Sequence, residues 1–92
     1  MIQSFRHKGL KRLHDEDDRR LLPPDMVGRI RIILAALEAA NTIEAMDRPG
    51  FRLHPLKGDL RGFWSVTVRA NWRITFRFEG GWASEVDFVD YH

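Results

Sequence analysis

Ninety-two residues, 43% hydrophobic and 30% charged, suffice for one small core and show no bias of a disordered or fibrous chain. The lack of cysteine excludes a disulfide framework and a thiolate zinc site and favours a reducing cytoplasm, and with no long apolar run and early charges no membrane partner or signal peptide is expected. The net charge of +2 hides a segregation: residues 48 to 78 hold seven Arg or Lys against Asp59 alone (+6), while the remainder holds eight basic against twelve acidic residues (−4), which marks one half as a candidate polyanion surface.

Residues 1 to 92 are read as a single domain. Ile2 to Arg6 is a short strand or extended lead-in, and Lys8 to His14 a short helix turning Leu10 and Leu13 inward. The run Asp15-Glu16-Asp17-Asp18-Arg19-Arg20 reads as a solvated loop or helix end, with no metal site. Pro23-Pro24-Asp25 opens the clearest helix, because proline suits the first turn and an aspartate favours the positive end of the helix dipole. That helix runs to about Ala40, with Met26, Val27, Ile30, Ile33, Leu34 and Leu37 as its apolar stripe and Arg29, Arg31 and Glu38 off it. Asn41 is the expected C-cap, Thr42 to Met46 adds one turn, and Arg48-Pro49-Gly50 breaks the chain.

From Phe51 onward the apolar period becomes two. A short strand at Phe51 to Leu56 precedes three long ones carrying Trp64, Val66 and Val68, then Trp72, Ile74, Phe76 and Phe78, then Trp82, Val86 and Phe88. Keeping these residues on one face sets Val68 opposite Trp72 and Phe78 opposite Trp82, with three-residue loops at Arg69-Ala70-Asn71 and Glu79-Gly80-Gly81. Arg73 then lies between Thr67 and Asp87, sharing a polar face with Ser65, Thr75, Arg77 and Glu85. All three tryptophans fall on the core side. The expected class is α+β, with N-terminal helices on the greasy face of a curved, mainly antiparallel sheet of about four strands and the polar face left open.

His54 and Lys57, Arg61 just beyond, Arg73 in mid-strand, and the closing Asp90-Tyr91-His92 supply a vocabulary for phosphate transfer. RNA can be cut without metal or cofactor when a base takes the 2′-hydroxyl proton, cations stabilise the pentacoordinate phosphorane, and an acid protonates the departing 5′-oxygen. Histidine fits either proton-transfer role because it titrates near neutrality.

Arg52-Leu53-His54-Pro55-Leu56-Lys57-Gly58-Asp59, Gly62-Phe63-Trp64-Ser65-Val66-Thr67-Val68 and Asn71-Trp72-Arg73-Ile74-Thr75-Phe76, with the closing Asp-Tyr-His, resemble the pattern of the HigB toxins of the RelE superfamily. The opening Met1 to Leu10 is similar to that family's start, whereas residues 14 to 25 and 41 to 51 carry no pattern. The resemblance implies a RelE-like fold and a cytoplasmic, ribosome-dependent messenger RNA endonuclease that reaches 16S ribosomal RNA at the A site. It also implies a HigA-like helix-turn-helix antitoxin as partner, with DNA met only through the complex. It places the family's functional positions on His54, Lys57, Arg73, Asp90, Tyr91 and His92. His92 is then general base or acid, and His54 its counterpart or a substrate-orienting group. Lys57 and Arg73 hold the scissile phosphate, Asp90 orients a neighbour, and Tyr91 stacks on a base or donates a hydrogen bond. Arg48, Arg52 and Arg61, with Lys57, serve docking on RNA. A nonenzymatic RNA-binding module and a ribosome-independent ribonuclease are the competing readings.

Overall fold

The computed structural model describes residues 1–91, so His92, a candidate catalytic residue, lies outside the described residues. The stretches of helical period form α1 (Lys8–Glu16) and α2 (Val27–Ala39), and the alternating stretches form β1 (His54–Pro55), β2 (Phe63–Arg69), β3 (Trp72–Glu79) and β4 (Trp82–Asp90). The strands make one antiparallel sheet whose spatial order follows the chain. No described helix is long and apolar enough to cross a membrane. Leu10 and Leu13 of α1, the α2 stripe, and Val66, Ile74, Phe76, Val86 and Phe88 of the sheet join in one buried cluster, so the helices cover one face as expected.

The Ile2 to Arg6 lead-in runs parallel to β4, with bridges from Ile2 to Ala83 and from Phe5 to Val86. α1 has no Ser, Thr, Asp or Asn before it; His7 takes that place, its Nδ1 accepting from the Gly9 and Leu10 N–H groups at 3.0 and 3.2 Å. Ahead of α2, residues Pro24–Met26 form a 3₁₀ turn, and the helix is capped at Ala40, one residue before the expected Asn41. The turn expected after it is a 3₁₀ turn at Ile43–Met46. Asp15, Asp17 and Asp18 of the acidic run are spent in ion pairs, Asp15 with Lys11 and His14. Asp17 meets Arg31, and Asp18 is held by Arg20 and Arg12; the hydrogen bonds from Arg20 bring the Asp18 pKa down to about 2.

The sheet departs from the expected register in three ways. Both hairpin loops have two residues rather than three, closing at Arg69 opposite Trp72 and Glu79 opposite Trp82. Gly80 and Gly81 both have positive φ (56° and 84°), the conformation that two-residue loops of the I′ kind demand. Bulges then restore the phase, one between Thr67 and Arg69 and one opposite Thr75 and Arg77, where Glu85 sits at φ 52°. Arg73 therefore keeps Thr67 as one neighbour but faces Val89, not Asp87, which lies opposite Thr75.

The tryptophans do not all reach the core. Ala83 takes the buried position opposite Phe78 and leaves Trp82 47% exposed at the turn. Trp64 and Trp72 are half-buried, Trp72 stacking on Phe88 with ring centroids 4.6 Å apart. The strand expected over Phe51 to Leu56 shrinks to His54–Pro55, because Phe51 plunges into the core and Arg52 turns into the left-handed region at φ 53°. Pro55 has no N–H for a ladder, which suits this edge position.

His14 ties the two helices together. Its Nδ1 faces Asp15 at 2.8 Å and its Nε2 faces Glu38 at 2.9 Å, an arrangement in which only an imidazolium donates both bonds. The pKa is raised above the ordinary 6.5, first by the Asp15 hydrogen bond and further by Glu38, against partial burial. Because the folded value exceeds the unfolded one, the stabilisation is complete below about pH 6.5 and is lost as pH rises through the folded value. We expect urea melts to lose up to about 1 kcal/mol as pH rises from about 6 through the raised folded value, the modest scale of a solvent-screened pair. His14→Gln should remove that slope; a slope unchanged in the variant would assign it to other groups.

Candidate active site

The site is assembled from the loop before β1 upward. Phe51, 2% exposed, is pinned under the guanidinium groups of Arg29 and Arg48, each 5.1 Å from its ring centroid. Arg29 reaches over from α2 and donates to the Gly50 carbonyl at 2.6 Å and the Thr67 carbonyl at 3.3 Å, tying the loop to helix and sheet. The Phe51 carbonyl accepts the Thr67 N–H at 2.7 Å. With Phe51 anchored, the left-handed turn at Arg52 swings the chain onto the sheet edge, where His54 pairs with Ser65 and Pro55 with Trp64.

On the open face, Arg52, His54, Leu56, Ser65, Thr67, Arg73 and Tyr91 line a cavity of about 240 Å³. Arg73 is half-buried, and its Nη1 donates to the Ala70 carbonyl at 2.6 Å and toward the Trp72 carbonyl at 3.4 Å, which fixes the guanidinium at the β2–β3 turn. Tyr91 reaches the same place because its backbone N–H donates to the Asn71 carbonyl at 2.8 Å, fastening the end of β4 to that turn. Asp90 closes β4 opposite Trp72. The Asp87 carboxylate is turned to its own strand, accepting the Phe88 N–H at 2.9 Å, so it does not neutralise Arg73.

Four of the residues singled out from sequence thus converge: Arg52, His54, Arg73 and Tyr91. Lys57 and Arg61 are exposed and flank the 3₁₀ turn Gly58–Leu60 beyond the cavity, and Arg48 is committed to Phe51 behind it. Sequence reasoning placed Ser65 and Thr67 on the polar face without making them part of the site; their alternation with Trp64, Val66 and Val68 was the available signal. Leu56 carried none. The cavity lining contains cations, an imidazole, hydroxyls and a phenol but no carboxylate. Of the seven basic residues between 48 and 78, only Arg69 forms an ion pair among the described residues, with Asp25. Such a surface attracts and holds a phosphodiester chain.

The chain matches, over residues 3–92, the family described as RelE-like toxin of type II toxin-antitoxin system HigB. It is 49% identical to the Endoribonuclease HigB of Proteus vulgaris, with both chains covered completely. It is 30% identical to Toxin HigB-1 of Vibrio cholerae serotype O1, covering all of this chain and 98% of that one. A solved YoeB/ParE toxin from Agrobacterium tumefaciens shares the fold, with a TM-score of 0.53 at 20% identity over 100% of this chain and 99% of that one.

Arg52 offers a test of how the cavity is held. A non-glycine residue in the left-handed region costs on the order of 1 kcal/mol or more, and glycine adopts it freely. Arg52→Gly should therefore raise the unfolding free energy by up to about 1 kcal/mol, or about 4 to 8 °C in Tm for a chain this size, while weakening RNA binding. A lower Tm would show that the guanidinium itself stabilises the loop.

Proposed function

The chain belongs to the RelE-like HigB family of type II toxin–antitoxin toxins, and from that membership we propose that residues 1–92 act as a single-domain endoribonuclease toxin that cuts messenger RNA on the ribosome. The carrying observation is the cavity in which His54, Arg73, Arg52 and Tyr91 meet on a face of unneutralised positive charge. The relative from Proteus vulgaris is named an endoribonuclease, and the donor types gathered here suit that reaction.

In the proposed reaction a histidine removes the proton of the 2′-hydroxyl, whose oxygen attacks the adjacent phosphorus. Arg73 stabilises the extra charge on the phosphorane, and a second group protonates the 5′-oxygen as the P–O bond breaks, leaving a 2′,3′-cyclic phosphate and a 5′-hydroxyl. His92 and His54 share the two proton transfers, Tyr91 donates a hydrogen bond or stacks on a base, and Asp90 orients a neighbour. Lys57 adds charge toward the scissile phosphate from the 3₁₀ turn beyond the cavity, and Arg48, Arg52 and Arg61 grip flanking or ribosomal RNA. No metal takes part in this reading. A helix-turn-helix antitoxin holds the protein in check in the cytoplasm, and DNA is reached only through that complex.

A cavity this small, about 240 Å³, motivates the ribosome requirement. It supplies charge and proton carriers but little wall to bend a strand into in-line geometry, and correct positioning is worth about 7 to 11 kcal/mol of barrier. Labelled messenger incubated with toxin, with and without programmed ribosomes, should be cut efficiently only with them. Equal cleavage of naked RNA at matched concentration would instead make the protein a ribosome-independent ribonuclease.

Arg73→Ala should lower the cleavage rate by about 10²- to 10³-fold, the scale of removing one charge-stabilising donor, with Tm within a few degrees of the parent. Growth arrest on induction, relieved by the neighbouring antitoxin gene and absent in the variant, is the cellular counterpart. Full activity in folded Arg73→Ala would remove this residue from the mechanism.

A further inference from the structure

β3 carries two arginines on the open face, Arg73 in the cavity and Arg77 four residues further on. At about 3.4 Å per residue their Cα atoms are roughly 13 Å apart, too far for both to hold one phosphate. Arg77 lies opposite Phe63, and its guanidinium carbon is 5.2 Å from the centre of that ring. Phe63 belongs to the same face as Ser65 and Thr67 yet is only 6% exposed, because the guanidinium of Arg6 also lies over it at 5.5 Å. The backbone makes room for this arrangement. Gly62 has φ 95°, and a Cβ there would come within 3.2 Å of Arg77 Nη2.

The two cations sharing the ring differ in one respect. Arg6 is neutralised by Glu85 at 2.9 Å, delivered by the bulge in β4. No described carboxylate pairs with Arg77, and its guanidinium donates to no described residue. A stacked guanidinium that is half-buried, fixed in orientation and has N–H donors unspent is preorganised for an anion of fork geometry. The Phe63 ring holds it there without competing for its charge.

We propose that Arg77, seated between Phe63 and Gly62, binds a phosphate of the messenger strand that flanks the scissile one, so that Arg73 and Arg77 together set the register of the RNA along β3. This rests on the RNA-cleaving reading above. The same donors could meet a phosphodiester of ribosomal RNA; the placement of Arg77 on the strand and face of Arg73 favours the messenger, and the test separates the two.

Single-turnover cleavage on programmed ribosomes is measured against toxin concentration for the parent, Arg77→Gln and Arg77→Lys. The messenger is either native or carries one neutral methylphosphonate at each flanking position in turn. Arg77→Gln should raise the half-saturating concentration about five- to tenfold with the maximal rate changed less than about twofold, and Arg77→Lys should recover part of the loss. At one flanking position the methylphosphonate should cost the parent a similar factor and cost Arg77→Gln nothing more, the non-additivity of two partners in one contact. An unchanged half-saturation would overturn the proposal. So would losses that multiply at every position, which assign the contact to ribosomal RNA. Equal losses in the Gln and Lys variants accompanied by a fallen Tm would reduce Arg77 to packing on Phe63 and overturn the proposal as well. A parent that cuts no RNA overturns the ribonuclease reading too, whereas an active parent matched by Arg77→Gln overturns this inference alone.

Discussion

The alternation of side chains across β2, β3 and β4 is interrupted twice, between Thr67 and Arg69 and again around Glu85, and each interruption keeps one face dry and the other wet. In a sheet a slip of one residue exchanges the faces of a whole strand. The tight hairpins would impose such a slip here; the bulges absorb it, so Val86 and Phe88 still meet the helices while Asp87 and Arg73 stay on the open side. The core under α1 and α2 and the cavity on the opposite face are two outcomes of one register. At Glu85 the bulge also delivers the carboxylate that occupies Arg6.

Charge follows the same division. Acidic residues of the helical half are spent on neighbours: Asp15 on Lys11 and His14, Asp17 on Arg31, Asp18 on Arg20 and Arg12. Exposed pairs of this kind add little stability individually, but they cancel the field of that half at short range. The cations of residues 48 to 78, Arg69 apart, have no described carboxylate partner, so their charge is not cancelled by direct pairing. A near-neutral protein thus presents a strongly basic surface without the self-repulsion of a high net charge.

The features legible in the sequence were those set by local pattern. The α2 stripe, Leu10 and Leu13 turned inward, and the partnership of Thr67 with Arg73 all follow from period and spacing, and four residues of the cavity from residue chemistry and family pattern. The illegible features were set by tertiary demand. Trp82 carries the stronger hydrophobic signal, but the glycine turn gives the buried position to Ala83. Phe51 to Leu56 alternates like a strand, yet burial of Phe51 beneath Arg29 and Arg48 fixes a left-handed Arg52 that no propensity favours. Phe63 carries no signal of its own beyond alternating with Trp64, and only the stacked guanidinium groups reveal how an aromatic shelters on the wet face.

The parallel seam between the lead-in and β4 sets an order of events. Ser4 Oγ accepts the Glu85 N–H across 81 positions of sequence, and Phe5 bridges Val86. During synthesis the lead-in has no partner until β4, 81 positions further on, has emerged, and α1 and α2 likewise wait for the strands that cover their apolar stripes. Contacts so distant in sequence slow folding, because loop closure must precede the bonds that reward it. A half-made chain therefore possesses neither the core nor the basic surface, and both come into being together with the last strand.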